Sequence, residues 1–164
     1  MWSGWGIRTL SADHPAFDPY SYHDGSVWPH DNGIIAAGFR RYGLAGDAAQ
    51  VARGILDAAA WFAEDRLPEL FSGLPREATG FPVPYRSANV PQAWAAGSVI
   101  QLTATLAGLD VEVDEVGAGG ASRRRLRAPG PLPDWLPALS FHDLQLRRRR
   151  VSLAVGPAER SART

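Results

Sequence analysis

The chain contains no cysteine and no lysine, has no long hydrophobic run, and carries no excess of charge of either sign. Without cysteine, disulfides, thiolate nucleophiles and zinc–thiolate sites are excluded, and the redox compartment is left open. Basic and acidic residues number 17 each, so no net field draws the chain to nucleic acid or to an acidic membrane surface. That every basic residue is Arg reflects coding composition and is given no functional weight. No stretch approaches the roughly 20 apolar residues needed to span a bilayer, and the N-terminus lacks a basic and apolar signal pattern. The expectation is a cytoplasmic protein with neither a nucleic-acid nor a membrane partner. Glycine fingerprints for phosphates or dinucleotides are missing, as is a Gly-x-Ser-x-Gly elbow. His14, His23, His30 and His142 fit no zinc spacing, so neither a metal nor another cofactor is expected.

What remains is 164 residues, 45% of them apolar and 21% charged, enough for one domain with a true core and a tail. The most informative stretch is Ser21 to Asn32, which packs Tyr22, His23, Asp24, Trp28, His30 and Asp31 around a Gly and a Pro, ahead of an apolar helical pattern. From Asp31, a plausible cap, Ile34, Ile35, Gly38, Phe39 and Tyr42 fall near one face. After Gly43 to Gly46, the run Asp47-Ala-Ala-Gln50 is a capping-box variant. It opens a second helix with Val51, Ala52, Ile55, Leu56, Ala59, Phe62 and Ala63 on one stripe. So short a turn predicts an αα-hairpin.

Residues 64 to 90 hold six prolines and glycines and cannot be regular, and a loop of that length within a compact fold is usually functional. Asn89-Val-Pro-Gln92 reads as the capped start of a third helix, with Ala95, Val99, Leu102, Leu106 and Leu109 on one face. Beyond Asp110, alternation over 110–116, a glycine-rich stretch to Gly120, and two short strands at Leu139–Leu146 and Val151–Val155 predict a small β appendage. The arginine runs at 123–125 and 147–150 lack interleaved aromatics and read as solvated strand ends and a turn.

Three constellations carry chemistry. Glu69, in the rigid loop Pro68-Glu-Leu-Phe-Ser-Gly73, is either a solvated loop carboxylate or one that activates water. Trp5, Tyr22, Trp28 and Trp94 can present flat apolar faces to sugar C–H groups, though Trp94, on a helix, suits core packing equally well. His23, His30, Asp31 and Gln92 supply donors and acceptors of defined geometry for hydroxyl groups, and Asp31 can equally serve as a simple cap.

The segments Ser3-Gly-Trp-Gly-Ile-Arg-Thr-Leu-Ser11, Tyr20-Ser-Tyr-His-Asp-Gly-Ser-Val-Trp-Pro-His-Asp-Asn32, Leu67-Pro-Glu-Leu-Phe-Ser-Gly73 and Pro91-Gln-Ala-Trp-Ala-Ala-Gly97 occur in this order. Together they resemble the C-terminal part of bacterial glycogen-debranching, amylo-α-1,6-glucosidase-type proteins from about Trp2 to Leu109. Leu132-Pro-Asp-Trp-Leu-Pro137 resembles their tail. The resemblance implies a mainly α fold: residues 1–109 as part of an (α/α)6 toroid with the site in its funnel, and 110–164 as a β-rich tail.

It further implies inverting hydrolysis of an α-glucan or oligosaccharide, with Glu69 matching the general base. The general acid would lie on an earlier loop, in the missing N-terminal part of the same barrel, which becomes the implied partner. The isolated chain is then expected to show little hydrolysis. A non-catalytic carbohydrate-binding remnant is the alternative from another class, and an epimerase or phosphorolytic enzyme on the same barrel is a third.

Overall fold

A computed structural model describes residues 1–114, 123–128 and 130–156, which fall into two compact units, Met1–Thr105 and Leu106–Thr164. In the first unit, α1 spans Pro29–Arg41 and α2 spans Ala45–Ala59, the two joined by three residues and packed on each other as the expected hairpin. A one-turn helix α3 follows at Arg76–Thr79, and α4 runs over Ala93–Ala107.

Helix α1 begins two residues ahead of the expected start, and Asp31 does not cap it. Pro29 occupies the first turn, where its fixed φ suits a helix and its missing N–H leaves no donor unpaired. Asp31 sits in that turn and Arg40 and Arg41 in the last, complementing the helix dipole. The buried face also differs from the predicted stripe. Pro29, Asn32, Gly33 and Ala36 are buried, whereas Ile34 is 61% exposed and Tyr42 83%. The reason is close approach. A Cβ on Gly33 would lie 3.0 Å from Gln101 Oε1 and 3.3 Å from Ser98 Cβ, so small side chains, not large apolar ones, form the contact with α4.

Helix α2 buries Ala48, Val51, Ala52, Gly54, Ile55, Ala58 and Ala59, close to the predicted stripe, but starts at Ala45 without a side-chain cap and stops before Phe62. Gly54 is a helix-interior glycine, which costs about 1 kcal/mol relative to alanine. It is tolerated because the Trp5 carbonyl sits where a Cβ would be. The third helix starts at Ala93, four residues after Asn89, which therefore does not cap it.

Elsewhere in the first unit, extended segments lie side by side. Isolated bridges link Trp2 to Ile7, Arg8 to Val27, Val27 to Phe71, and Phe71 to Pro84. Val27 and Phe71 exchange both backbone hydrogen bonds, at 2.9 and 3.0 Å, and both side chains are fully buried. Asn32 adds a cross-tie: its Oδ1 accepts from Ile7 N–H at 2.7 Å, and its Nδ2 donates to the carbonyls of Ile7 and Trp28 at 3.1 and 2.9 Å. These ties deliver the Tyr22–Trp28 loop and the Glu69 loop to the same place.

The second unit contains two antiparallel hairpins, β1 Asp110–Asp114 with β2 Arg123–Arg127, and β3 Leu139–Leu146 with β4 Arg149–Val155. The arginine run at 123–127 is thus a strand, with Asp110 opposite Arg127 in the register. The expected alternation at 115–116 and the glycines to Gly120 lie outside the described residues. Among the described residues the architecture is mixed, four helices with two small sheets. No described helix is long and apolar enough to cross a membrane.

Candidate functional site

The loop ahead of α1 is shaped by its own polar side chains. Ser26 Oγ donates to the Tyr22 carbonyl at 2.8 Å, and the Trp28 indole N–H reaches the same carbonyl at 3.1 Å and Ser26 Oγ at 3.0 Å. Trp28 is thereby pinned with its polar edge satisfied, and 6% of its surface remains exposed. Asp24 and Ser21 close a smaller turn outside it, with Ser21 Oγ donating to Asp24 Oδ2 at 3.1 Å.

Around Trp28 the rings gather. Tyr22 meets it edge-on at 4.8 Å between centroids, His23 lies parallel to it at 5.9 Å, and His30 stands edge-on at 5.7 Å. Trp94, from the first turn of α4, stacks on His30 at 4.6 Å and lies 6.4 Å from Trp28. Trp94 is 48% exposed, so it is a rim residue of this cluster and not a core one. His30 Nε2 faces Asp31 Oδ1 at 3.1 Å, which is where the Asp31 carboxylate goes in place of a cap. Tyr85, which the sequence did not single out, adds a ring 5.7 Å from Tyr22.

Glu69 enters from the opposite strand-like segment, two residues before Phe71, and is 5% exposed. Its Oε1 accepts the Tyr22 hydroxyl at 2.8 Å. Its Oε2 accepts from Asn89, from the side-chain amide at 3.1 Å and the backbone N–H at 3.4 Å. The Tyr22 hydrogen bond, set against burial and joined by those from Asn89 and Gln92, holds the Glu69 carboxyl below the ordinary glutamate range. Reciprocally, the hydrogen bond to Glu69 pushes the Tyr22 hydroxyl up. Glu69 is therefore an ionised, hydrogen-bonded, largely buried carboxylate beside an aromatic cluster.

Of the residues singled out from the sequence, Tyr22, His23, Trp28, His30, Asp31, Glu69, Gln92 and Trp94 are brought into one neighbourhood by these contacts. Gln92 is oriented by the Ala93 N–H, which donates to its Oε1 at 2.9 Å. Trp5 is placed elsewhere: it is 1% exposed, packed against Gly54, and covered by the Arg76 guanidinium 4.1 Å above its ring. Arg76 is in turn held by Asp57 at 2.8 Å. That makes Trp5 a core residue and takes it out of the aromatic surface.

The sequence missed Asn89, because a polar residue ahead of a proline and a helical stripe reads first as a cap. Among the described residues, no group of three or more His, Asp or Glu is arranged to hold a metal ion. Two cavities are lined by other residues. One of about 420 Å³ lies among Pro131, Pro133, Leu136 and Val155 in the second unit, and one of about 240 Å³ lies among Trp2, Arg53, Asp57 and Arg76.

Residues 1–78 match the family model of the mannosylglycerate hydrolase MGH1-like glycoside hydrolase domain. The matched stretch includes Tyr22, His23, Trp28, His30, Asp31 and Glu69, and supports a glycoside hydrolase family for it. Glycogen debranching is no part of that match. No curated protein matches the chain.

Proposed function

We propose that the chain is the base-bearing segment of an inverting glycoside hydrolase, in which Glu69 takes a proton from the attacking water. The observation that carries the reading is the Glu69 carboxylate, held ionised by Tyr22 and Asn89, on the same neighbourhood as Trp28, His30 and Trp94. Inversion needs a second carboxyl about 6.5 to 9.5 Å from the first, protonated to serve the leaving oxygen. Asp31 is engaged by His30 and Asp24 by Ser21, so neither is assigned that role. The reading places the acid on another loop of an (α/α)6 barrel, to which the α1–α2 hairpin would contribute one of six helical pairs. The rest of that barrel is then the chain's partner.

For the substrate, the sequence resemblance favours an α-glucan with 1,6-branches, and the name of the matched family favours a small mannoside. In both cases a pyranose would lie against Trp94 and Trp28, its hydroxyls meeting His30, His23 and Gln92. Titrating the chain with a branched maltooligosaccharide and with mannosylglycerate, read by tryptophan fluorescence, tests this. Saturable quenching by one of them, lost in Trp94→Ala, is expected. Quenching by neither would remove sugar recognition from the account. A non-catalytic sugar-binding role shares the quenching but predicts no effect of Glu69→Gln on any turnover.

A further inference from the structure

We propose that Asn89 is the positioning residue of this site, clamping the Glu69 carboxylate at Oε2 and the Glu69 backbone at once. The proposal rests on the reading of Glu69 as a base and adds how that base is aimed. Three hydrogen bonds join the two residues. The Asn89 side-chain amide donates to Oε2 at 3.1 Å, its backbone N–H reaches the same oxygen at 3.4 Å, and its carbonyl accepts the Glu69 N–H at 2.9 Å. A glutamate side chain ordinarily keeps its terminal torsion broad. Here Tyr22 holds one oxygen and Asn89 the other, so the plane of the carboxylate is set from both ends.

Two other roles do not fit Asn89. Helix α4 begins at Ala93, so Asn89 is not its cap. The residue is exposed at the rim, so the core does not depend on its volume. Its chemistry suits the task, because a carboxamide nitrogen can only donate and thus favours the ionised form of the acid it touches. Aspartate, of nearly the same shape, would instead set two carboxylates against each other and favour a shared proton. Asn89 also lies beyond the stretch matched by the family model, so its assignment comes from the geometry alone.

The test is a carbon-detected NMR titration of the Glu69 carboxyl in the chain, in Asn89→Ala and in Asn89→Asp, with the Val27 and Phe71 amide signals as the check on folding. The midpoint is expected to move upward in Asn89→Ala and further upward in Asn89→Asp. An unchanged midpoint in Asn89→Ala with the Val27 and Phe71 signals intact would overturn the proposal. Loss of those signals in both variants would overturn it too, since Asn89 would then be a structural anchor. The outcome separates from the fate of the base itself: a shifted midpoint in a protein whose turnover survives Glu69→Gln leaves the clamp standing and removes the base.

Discussion

The Tyr22 hydroxyl donates to Glu69 Oε1 at 2.8 Å, across 47 positions of sequence, and so binds the loop ahead of α1 to the loop that carries the carboxylate. The backbone pair Val27–Phe71 brings them alongside, and Tyr22–Glu69 fixes the side chains.

That contact has a signature in acid. Glu69 has a lower pKa folded than unfolded, so its contribution to stability is fully present above the unfolded value of about 4.5 and is lost as pH falls through the folded value. Tyr22→Phe removes the leading cause of the depression. Urea midpoints measured between pH 7 and pH 3 should therefore fall less steeply in Tyr22→Phe, and less steeply still in Glu69→Gln, than in the parent. Parallel curves for all three would show that Glu69 is not held as described.

Asn32 ties the N-terminal segment to α1 through three hydrogen bonds and is fully buried. Asn32→Ala would strand the N–H and the carbonyl of Ile7, and an unpaired buried group costs about 1 to 3 kcal/mol. The expected loss is roughly 2 to 4 kcal/mol in denaturant unfolding, with some relief if water enters. A loss within experimental error of zero would mean the segment docks by apolar contacts alone.

Two helix-interior glycines should respond oppositely to the same change. Gly54→Ala drives a methyl into the Trp5 carbonyl and should destabilise by about 1 to 3 kcal/mol, as overpacking does. Gly97, in α4, has nothing within 4 Å of an added Cβ, so Gly97→Ala should stabilise by about 0.5 to 1 kcal/mol. Thermal melts of the two variants decide the matter, and equal signs would contradict the packing of Trp5 against α2.

Much of this was legible in the sequence, and what was not has physical reasons. The α1–α2 hairpin, the strands at 139–146 and near 151–155, and the irregular loop around Glu69 follow from periodicity and from proline and glycine spacing. The burial of α1 did not, because a periodic stripe assumes that large apolar residues face inward, whereas α1 meets α4 through Gly33 and leaves Ile34 outside. Trp5 lies outside any stripe and looked available for a pocket, but a close contact with Gly54, 49 positions away, has no local signal. Asn89 and Asp31 were both read as caps. Each instead pairs with a side chain: Asn89 with Glu69, a tertiary partner 20 positions away, and Asp31 with its neighbour His30. Trp94 joins the aromatic cluster only because α4 starts at Ala93 and so turns that ring onto His30.

The central claim is that Glu69 accepts the proton of the attacking water, and the most direct measurement is kcat and Kd for the parent and Glu69→Gln. It should be made on the sugar that quenches tryptophan fluorescence, together with the proposed partner segment. The account predicts that kcat falls by about 100- to 10,000-fold, the usual worth of a general base, while Kd stays within about threefold. A Glu69→Gln protein that keeps more than a tenth of the parent kcat would contradict it.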